Sequence, residues 1–208
     1  MSDIARIAVL VSGGGTNLQA LINAQRPDRN GRRVIKSGRV ELVISSNPNA
    51  YALERARKAK IPAEVASRKE IGSPAAFEGR IKELLDEYKI DVIVLAGFMS
   101  ILSESFVKAY PKRILNVHPS LIPSFCGEGF YGLRVHEAAL SYGVKITGAT
   151  VHFVNEIPDG GEIIMQKAVA IREDDTPETL QKRVMRLAEW KILPAATQKV
   201  CEGIVRNR

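Results

Sequence analysis

Residues 4–22 read IARIAVLVSGGGTNLQALI, and this stretch decides the architecture. Residues 4–11 are apolar apart from Arg6, a pattern that suits a strand covered on both faces. The run carries an arginine and lacks a small-residue cleavage site, so it reads as a first strand and not as a signal peptide. It ends in SGGGTN, residues 12–17, after which Leu18, Leu21 and Ile22 fall at the spacing of one helical face. Strand, glycine turn and helix in that order aim backbone N–H groups and a helix N-terminus at an anion. Thr16 or Asn17 is placed to cap the helix or to turn its side chain to the ligand. The glycines are consecutive, and no Lys-Ser/Thr pair follows, which separates the turn from the dinucleotide fingerprint and the Walker loop. The turn favours a phosphate monoester.

Outward from that unit the chain keeps alternating. Residues 40–45 predict a second strand, 51–60 a basic helix stopped by Pro62, and 64–66 a short strand. Residues 68–74 read as loop, and 75–88 as an amphipathic helix with Phe77, Ile81, Leu84 and Leu85 on one face. Residues 91–96, DVIVLA, are the most strand-like run and end in the apolar turn GFMSILS, residues 97–103. A helix from Ser103, a strand from Ile114, a glycine-rich mobile loop at 124–132 and a helix at 135–142 follow. Strands at 145–154 and 163–170 flank the turn NEIPDGGEI. Thr176 is the expected cap of a long helix that runs through Trp190 and breaks near Pro194, with a last helical stretch to about Ile204. The alternation predicts one α/β domain over residues 1–208, with a mainly parallel sheet flanked by helices.

Composition narrows the function classes. The 208 residues are 45% hydrophobic and 25% charged, ordinary for a globular protein with one good core. No apolar run reaches the length of a membrane helix. Cys126 and Cys201 have no partner spacing for zinc or redox work, and a cytoplasmic setting is expected. The formal net charge is +7, and six of the basic residues fall between Arg26 and Arg39: Arg26, Arg29, Arg32, Arg33, Lys36 and Arg39. No aromatic residue is interleaved there, so a solvated loop is favoured over nucleic-acid binding. The charge also suits drawing anionic small molecules toward a cleft.

The chemistry gathers around ILNVHPSLIP, residues 114–123. Pro119 stops the strand at His118, which leaves Asn116 and His118 on one side of a strand end. Strand ends on the carboxyl side are where ligands sit in open α/β sheets. Asp159, on a glycine turn, is the carboxylate that joins them, although a plain turn residue is the alternative. An Asn and a His there suit acyl transfer without a covalent enzyme intermediate, and a carboxylate beside the His raises its pKa. No metal-ligand spacing links these residues or His136 and His152, and Ser120 lacks nucleophile-elbow glycines. A thiol mechanism through Cys126 lacks a fixed base.

VLVSGGGTNLQALI, VLAGFMSILS, ILNVHPSLIP and GATVHFVNEIPDGGEIIMQ resemble, in order and spacing, the phosphoribosylglycinamide formyltransferases of purine synthesis. The resemblance spans nearly the whole chain. It implies a Rossmann-like N-terminal half whose sheet the C-terminal half extends. It further implies 10-formyltetrahydrofolate as formyl-donor co-substrate, no metal, and a monomer or homodimer acting on small molecules, with no nucleic-acid or membrane partner. Asn116, His118 and Asp159 would be catalytic, Asn116 also facing the folate. Gly15, Thr16, Asn17 and Glu189 would hold the ribonucleotide, and Met99, Ser100, Ile101 and Leu102 would wall the folate pocket. Ser100 stands where many relatives carry an arginine. A 10-formyltetrahydrofolate hydrolase and a non-catalytic phosphate-binding module are the rival readings.

Overall fold

The computed structural model describes residues 4–208. Seven strands form one sheet: β1 (Ala5–Val11), β2 (Gly38–Ser45), β3 (Ala63–Val65), β4 (Val92–Leu95), β5 (Ile114–His118), β6 (Ile146–Phe153) and β7 (Ile163–Ala170). Their order is β3-β2-β1-β4-β5-β6-β7. The first five are parallel, and β6 and β7 add antiparallel to one edge. The α/β expectation holds, with the mainly parallel sheet flanked by helices.

Alternation along β1 shows why its apolar run is unbroken. Ile7, Val9 and Val11 join one core layer and Ala8 and Leu10 the other. The first layer packs against α1 (Thr16–Ala24) and α8 (Trp190–Arg206), the second against α4 (Pro74–Glu87) and α5 (Glu104–Ala109). The remaining helices are α2 (Tyr51–Ala59), α3 (Arg68–Ile71), α6 (Leu133–Tyr142) and α7 (Pro177–Val184). Strand order reverses at β1, which has β2 on one side and β4 on the other. A crevice opens at such a reversal beyond the carboxyl ends of the strands. SGGGTN follows β1 and GFMSILS follows β4, so both loops reach that crevice.

Three local expectations are corrected. Residues 68–71 form the short α3 where a loop was expected, and Ser73 caps α4 by accepting from the Ala76 N–H, with Pro74 as its first residue. The C-terminal helix does not break at Pro194, which lies inside α8. Its irregularity comes earlier, as a π segment at Met185–Glu189. Ile192, Leu193, Pro194 and Ala196 are all buried, and that packing outweighs the one backbone bond proline removes. At α1 neither Thr16 nor Asn17 caps; Gly15 holds that position in a left-handed conformation.

Candidate active site

β5 ends at His118 because Pro119 follows, and the antiparallel register sets Asn116 opposite His152 and His118 opposite Thr150. Asp159 enters from the β6–β7 connection with φ +55°. Its Oδ2 lies 3.3 Å from His118 Nδ1, and its Oδ1 accepts from the Asn116 amide at 3.3 Å. The three residues expected to work together are therefore in contact. A fourth joins them: His152 Nε2 lies 3.2 Å from Asn116 Nδ2 and 3.5 Å from Asp159 Oδ1. On its other side, His152 Nδ1 lies 2.8 Å from the Phe153 carbonyl.

The 124–132 loop, expected to be mobile, is pinned onto this cluster. His118 Nε2 donates to the Phe125 carbonyl at 2.8 Å, and the Gly127 N–H donates to Asp159 Oδ2 at 3.0 Å. In a neutral ring with its proton on Nε2, the Nδ1 lone pair would face the Asp159 carboxylate, so only an imidazolium satisfies both neighbours. Burial nevertheless pulls the His118 pKa below its ordinary value, outweighing the upward pull of Asp159 and the Phe125 carbonyl, and His152 adds to the lowering. Asp159 raises the His118 pKa as expected, but the net shift is downward, because the ring is 4% exposed. Burial pushes the Asp159 carboxyl up. The hydrogen bond with His152, the charge of His118 and the Gly127 N–H more than offset it and keep the carboxyl low.

The glycine turn is built to receive an anion. Its carbonyls face away from the crevice, toward α2: the Ala52 N–H donates to the Gly13 carbonyl at 3.1 Å, and Arg55 Nε donates to the Gly14 carbonyl at 2.7 Å. Among the described residues, the N–H groups of residues 13–17 have no acceptor. Gly15 has φ +69°, and a Cβ there would lie 2.7 Å from that of Ala52. Asn17 turns inward and donates to Glu189 Oε2 at 2.7 Å, while its own Oδ1 is buried without a partner. That orphaned acceptor points to a ligand hydroxyl or amine. Burial pushes the Glu189 carboxyl up to about 7, against the lowering effect of the Asn17 bond.

Glu189 yields a pH prediction. Its folded pKa of about 7 lies above the ordinary 4.5. Below pH 4.5 the group is neutral in both states; between there and 7 the unfolded chain ionises first, so stability falls as pH rises. Taken alone this lowers stability by on the order of 3 kcal/mol across that window, while His136, which burial pushes down to about 4, raises it as pH climbs toward 6.5. The melting temperature of Glu189→Gln, relative to that of the unmodified ligand-free protein, should therefore rise as pH goes from 4.5 to 7, and an equal slope in both proteins would disprove the assignment.

The turn after β4 is tied to the glycine turn: the Met99 N–H donates to Ser12 Oγ at 2.9 Å, and the Ser12 N–H to the Gly97 carbonyl at 3.1 Å. Met99 is 59% exposed and Ile101 82%, with Ser100 and Leu102 partly covered. Ile157, 60% exposed, comes from the turn before Asp159. Large apolar side chains left in water beside polar catalytic groups fit a flat, partly apolar ligand. Among the described residues no group of metal-ligating side chains forms. The Cys126 thiol is pushed up by burial and by Asp159, away from the thiolate that nucleophilic attack needs.

Comparison with known proteins decides the family. The formyl transferase model matches residues 5–197. The chain belongs to the formyl transferase family. It is 46% identical over 202 residues to the bovine trifunctional purine biosynthetic protein adenosine-3, covering 97% of this chain but 19% of that protein. A phosphoribosylglycinamide formyltransferase of Haemophilus influenzae is 38% identical, with 97% of this chain and 89% of that protein covered. A crystal structure of glycinamide ribonucleotide transformylase 1 from Symbiobacterium toebii superposes with a TM-score of 0.87 at 42% identity, covering 98% of this chain and 90% of that one. The resemblance read from the four motifs is borne out.

Reading the sequence of this formyl transferase alone misses His152 and the loop contacts from Phe125 and Gly127. The alternation of β6 places His152 beside Thr150 on one face, but its pairing with Asn116 depends on a register that one sequence does not display. Arg55 is missed as well, because a basic residue on a basic helix carries no signal until the Gly14 carbonyl is seen against it.

Proposed function

We propose that this chain, as one formyl transferase domain, transfers the formyl group of 10-formyltetrahydrofolate to the amine of 5-phosphoribosylglycinamide, an acyl transfer. The carrying observation is the contact cluster of Asn116, His118 and Asp159 at the carboxyl end of β5, on the same end of the parallel sheet as five N–H groups that lack acceptors among the described residues. The N–H groups of residues 13–17 and the Thr16 side chain bind the ribonucleotide phosphate, and Asn17 with Glu189 takes its hydroxyls. Met99, Ser100, Ile101 and Leu102 hold the formyl folate, which supplies the electrophilic carbon.

Asn116 and His118 then stabilise the oxygen that gains charge as the amine attacks. The Asn116 amide already faces His152 and Asp159 at long distances, and a charged oxygen would replace the longer contact. His118 Nε2 is bonded to the Phe125 carbonyl, so the loop must give way before that nitrogen serves a substrate. Asp159 opposes the effect of burial on His118 and favours its charged form when the substrate oxygen turns negative. His152 holds Asn116 in place.

The assay pairs glycinamide ribonucleotide with 10-formyltetrahydrofolate beside a water-only control. Formylated product confirms the transferase; folate turnover in the control alone makes the protein a hydrolase. Gly15→Val tests the phosphate turn. The φ of +69° and the clash with Ala52 impose strain of about 1–3 kcal/mol. Ribonucleotide affinity should fall about tenfold or more, with affinity for a folate analogue unchanged. Calorimetry showing both affinities intact removes the assignment.

A further inference from the structure

The basic segment at residues 26–39 takes no part in the reaction above, and the structure gives it a neighbour. Between α1 and α8 lies a cavity of about 460 Å³, within the size range of small-molecule sites. Its surface includes Ala20, Val34 and the buried Pro194, and Trp190 stands in its wall. Trp190 is 36% exposed as a residue, and its ring has no ring partner among the described residues. Arg55 and Lys191 also line the cavity.

Asp28 is the one acid in the 25–37 loop, and its Oδ1 accepts from the Asn30 and Arg32 backbone N–H groups. Glu54, next to Arg55 in sequence, pairs with Arg57 and Lys58 instead. Arg55 uses Nε on Gly14 and Nη1 on Gln19, which leaves Nη2 without a protein acceptor among the described residues. The 25–37 loop is tied to both walls: the Val34 and Ile35 N–H groups donate to the Ala24 carbonyl at the end of α1, and those of Lys36 and Ser37 donate to Gln198 of α8. Arg26, Arg29, Arg32 and Arg33 on that loop are exposed and form no ion pair among the described residues. Unpaired like charges repel one another, and an anionic ligand relieves the repulsion.

We propose that this groove, which adjoins the glycine turn at Thr16 and Arg55 but runs away from it along α1, is a second ligand site and that it binds a nucleoside phosphate. The base stacks on Trp190, and the phosphates lie toward Lys191, Arg55 and the loop arginines. Gln19 and Asn23, bonded to each other at 3.0 Å on the α1 face of the groove, offer amides to the base edge. The proposal does not depend on the formyl-transfer reading.

Trp190 is the only tryptophan in the chain, so its fluorescence reports on the groove directly. The full-length protein is titrated with adenosine 5′-diphosphate, and in parallel with ribose 5-phosphate and inorganic phosphate. The diphosphate should quench the signal saturably and less tightly at higher salt, with both base-free probes at least about tenfold weaker. Lys191→Glu and Ala20→Glu should each raise the midpoint about tenfold or more, with circular dichroism and formyl-transfer kinetics unchanged. Saturating glycinamide ribonucleotide should not displace the diphosphate. No quenching up to about 10 mM, an equal response to phosphate alone, or unchanged midpoints in both variants overturns the proposal. Displacement by glycinamide ribonucleotide also overturns it, because the probe would then sit in the glycine turn.

Discussion

His118→Ala and Asn116→Ala should each lower turnover about a hundred- to a thousandfold, the loss expected when one preorganised oxyanion donor is removed. Ribonucleotide affinity should stay near that of the unmodified protein, because the glycine turn follows β1 whereas both residues lie on β5. Asp159→Asn should cost turnover through a different route. His118 is already pulled below its ordinary pKa by burial, and Asp159 supplies the main upward pull. Its removal should shift the His118 pKa further down and carry the alkaline limb of the pH–rate profile to lower pH, because the charged ring is the form that serves the oxyanion. The effects of the three variants should fall short of adding, since Asp159 touches both of the others. A His118 that merely braces the strand end predicts a lower melting temperature with near-normal turnover per folded molecule. Measuring melting temperature, both affinities and turnover for each variant separates the two.

The parts of this molecule legible in the sequence are those governed by local rules. The apolar run of β1, the glycine turn and the Pro119 stop after His118 each follow from the residues on the spot. What sequence reading missed is set by distant partners. Asn17 carries a helix-capping side chain, yet it bonds to Glu189, 172 positions away, and Gly15 takes the cap. Pro194 reads as a helix break, but packing between helix and sheet carries the helix through it. The same holds for His118: the neighbouring carboxylate was predictable, whereas the dominance of burial depends on a loop laid over the ring.

Gly161→Ala should be the most damaging single-methyl change at the site. Gly161 lies in the connection between β6 and β7, two residues beyond Asp159, and its Cα abuts the end of β6. A Cβ there would sit 1.7 Å from the Phe153 carbonyl oxygen and 2.8 Å from its carbon. Both are backbone atoms, so no side chain can rotate away, and the connection must lift off the sheet. Phe153 also anchors the ladder, its N–H donating to the Glu162 carbonyl at 2.9 Å. Overpacking against fixed atoms costs about 3 kcal/mol or more, equivalent to a drop in melting temperature of roughly 6–12 °C for a chain of this length. The displaced turn takes Asp159 from His118 and Asn116, so turnover of the surviving folded protein should fall as well. Gly79→Ala serves as the opposite control. It lies inside α4 with nothing within 4 Å of the added methyl, and should stabilise the protein by about 0.5–1 kcal/mol. A Gly161→Ala protein with the melting temperature and turnover of the unmodified chain would show that this turn does not hold Asp159 in place.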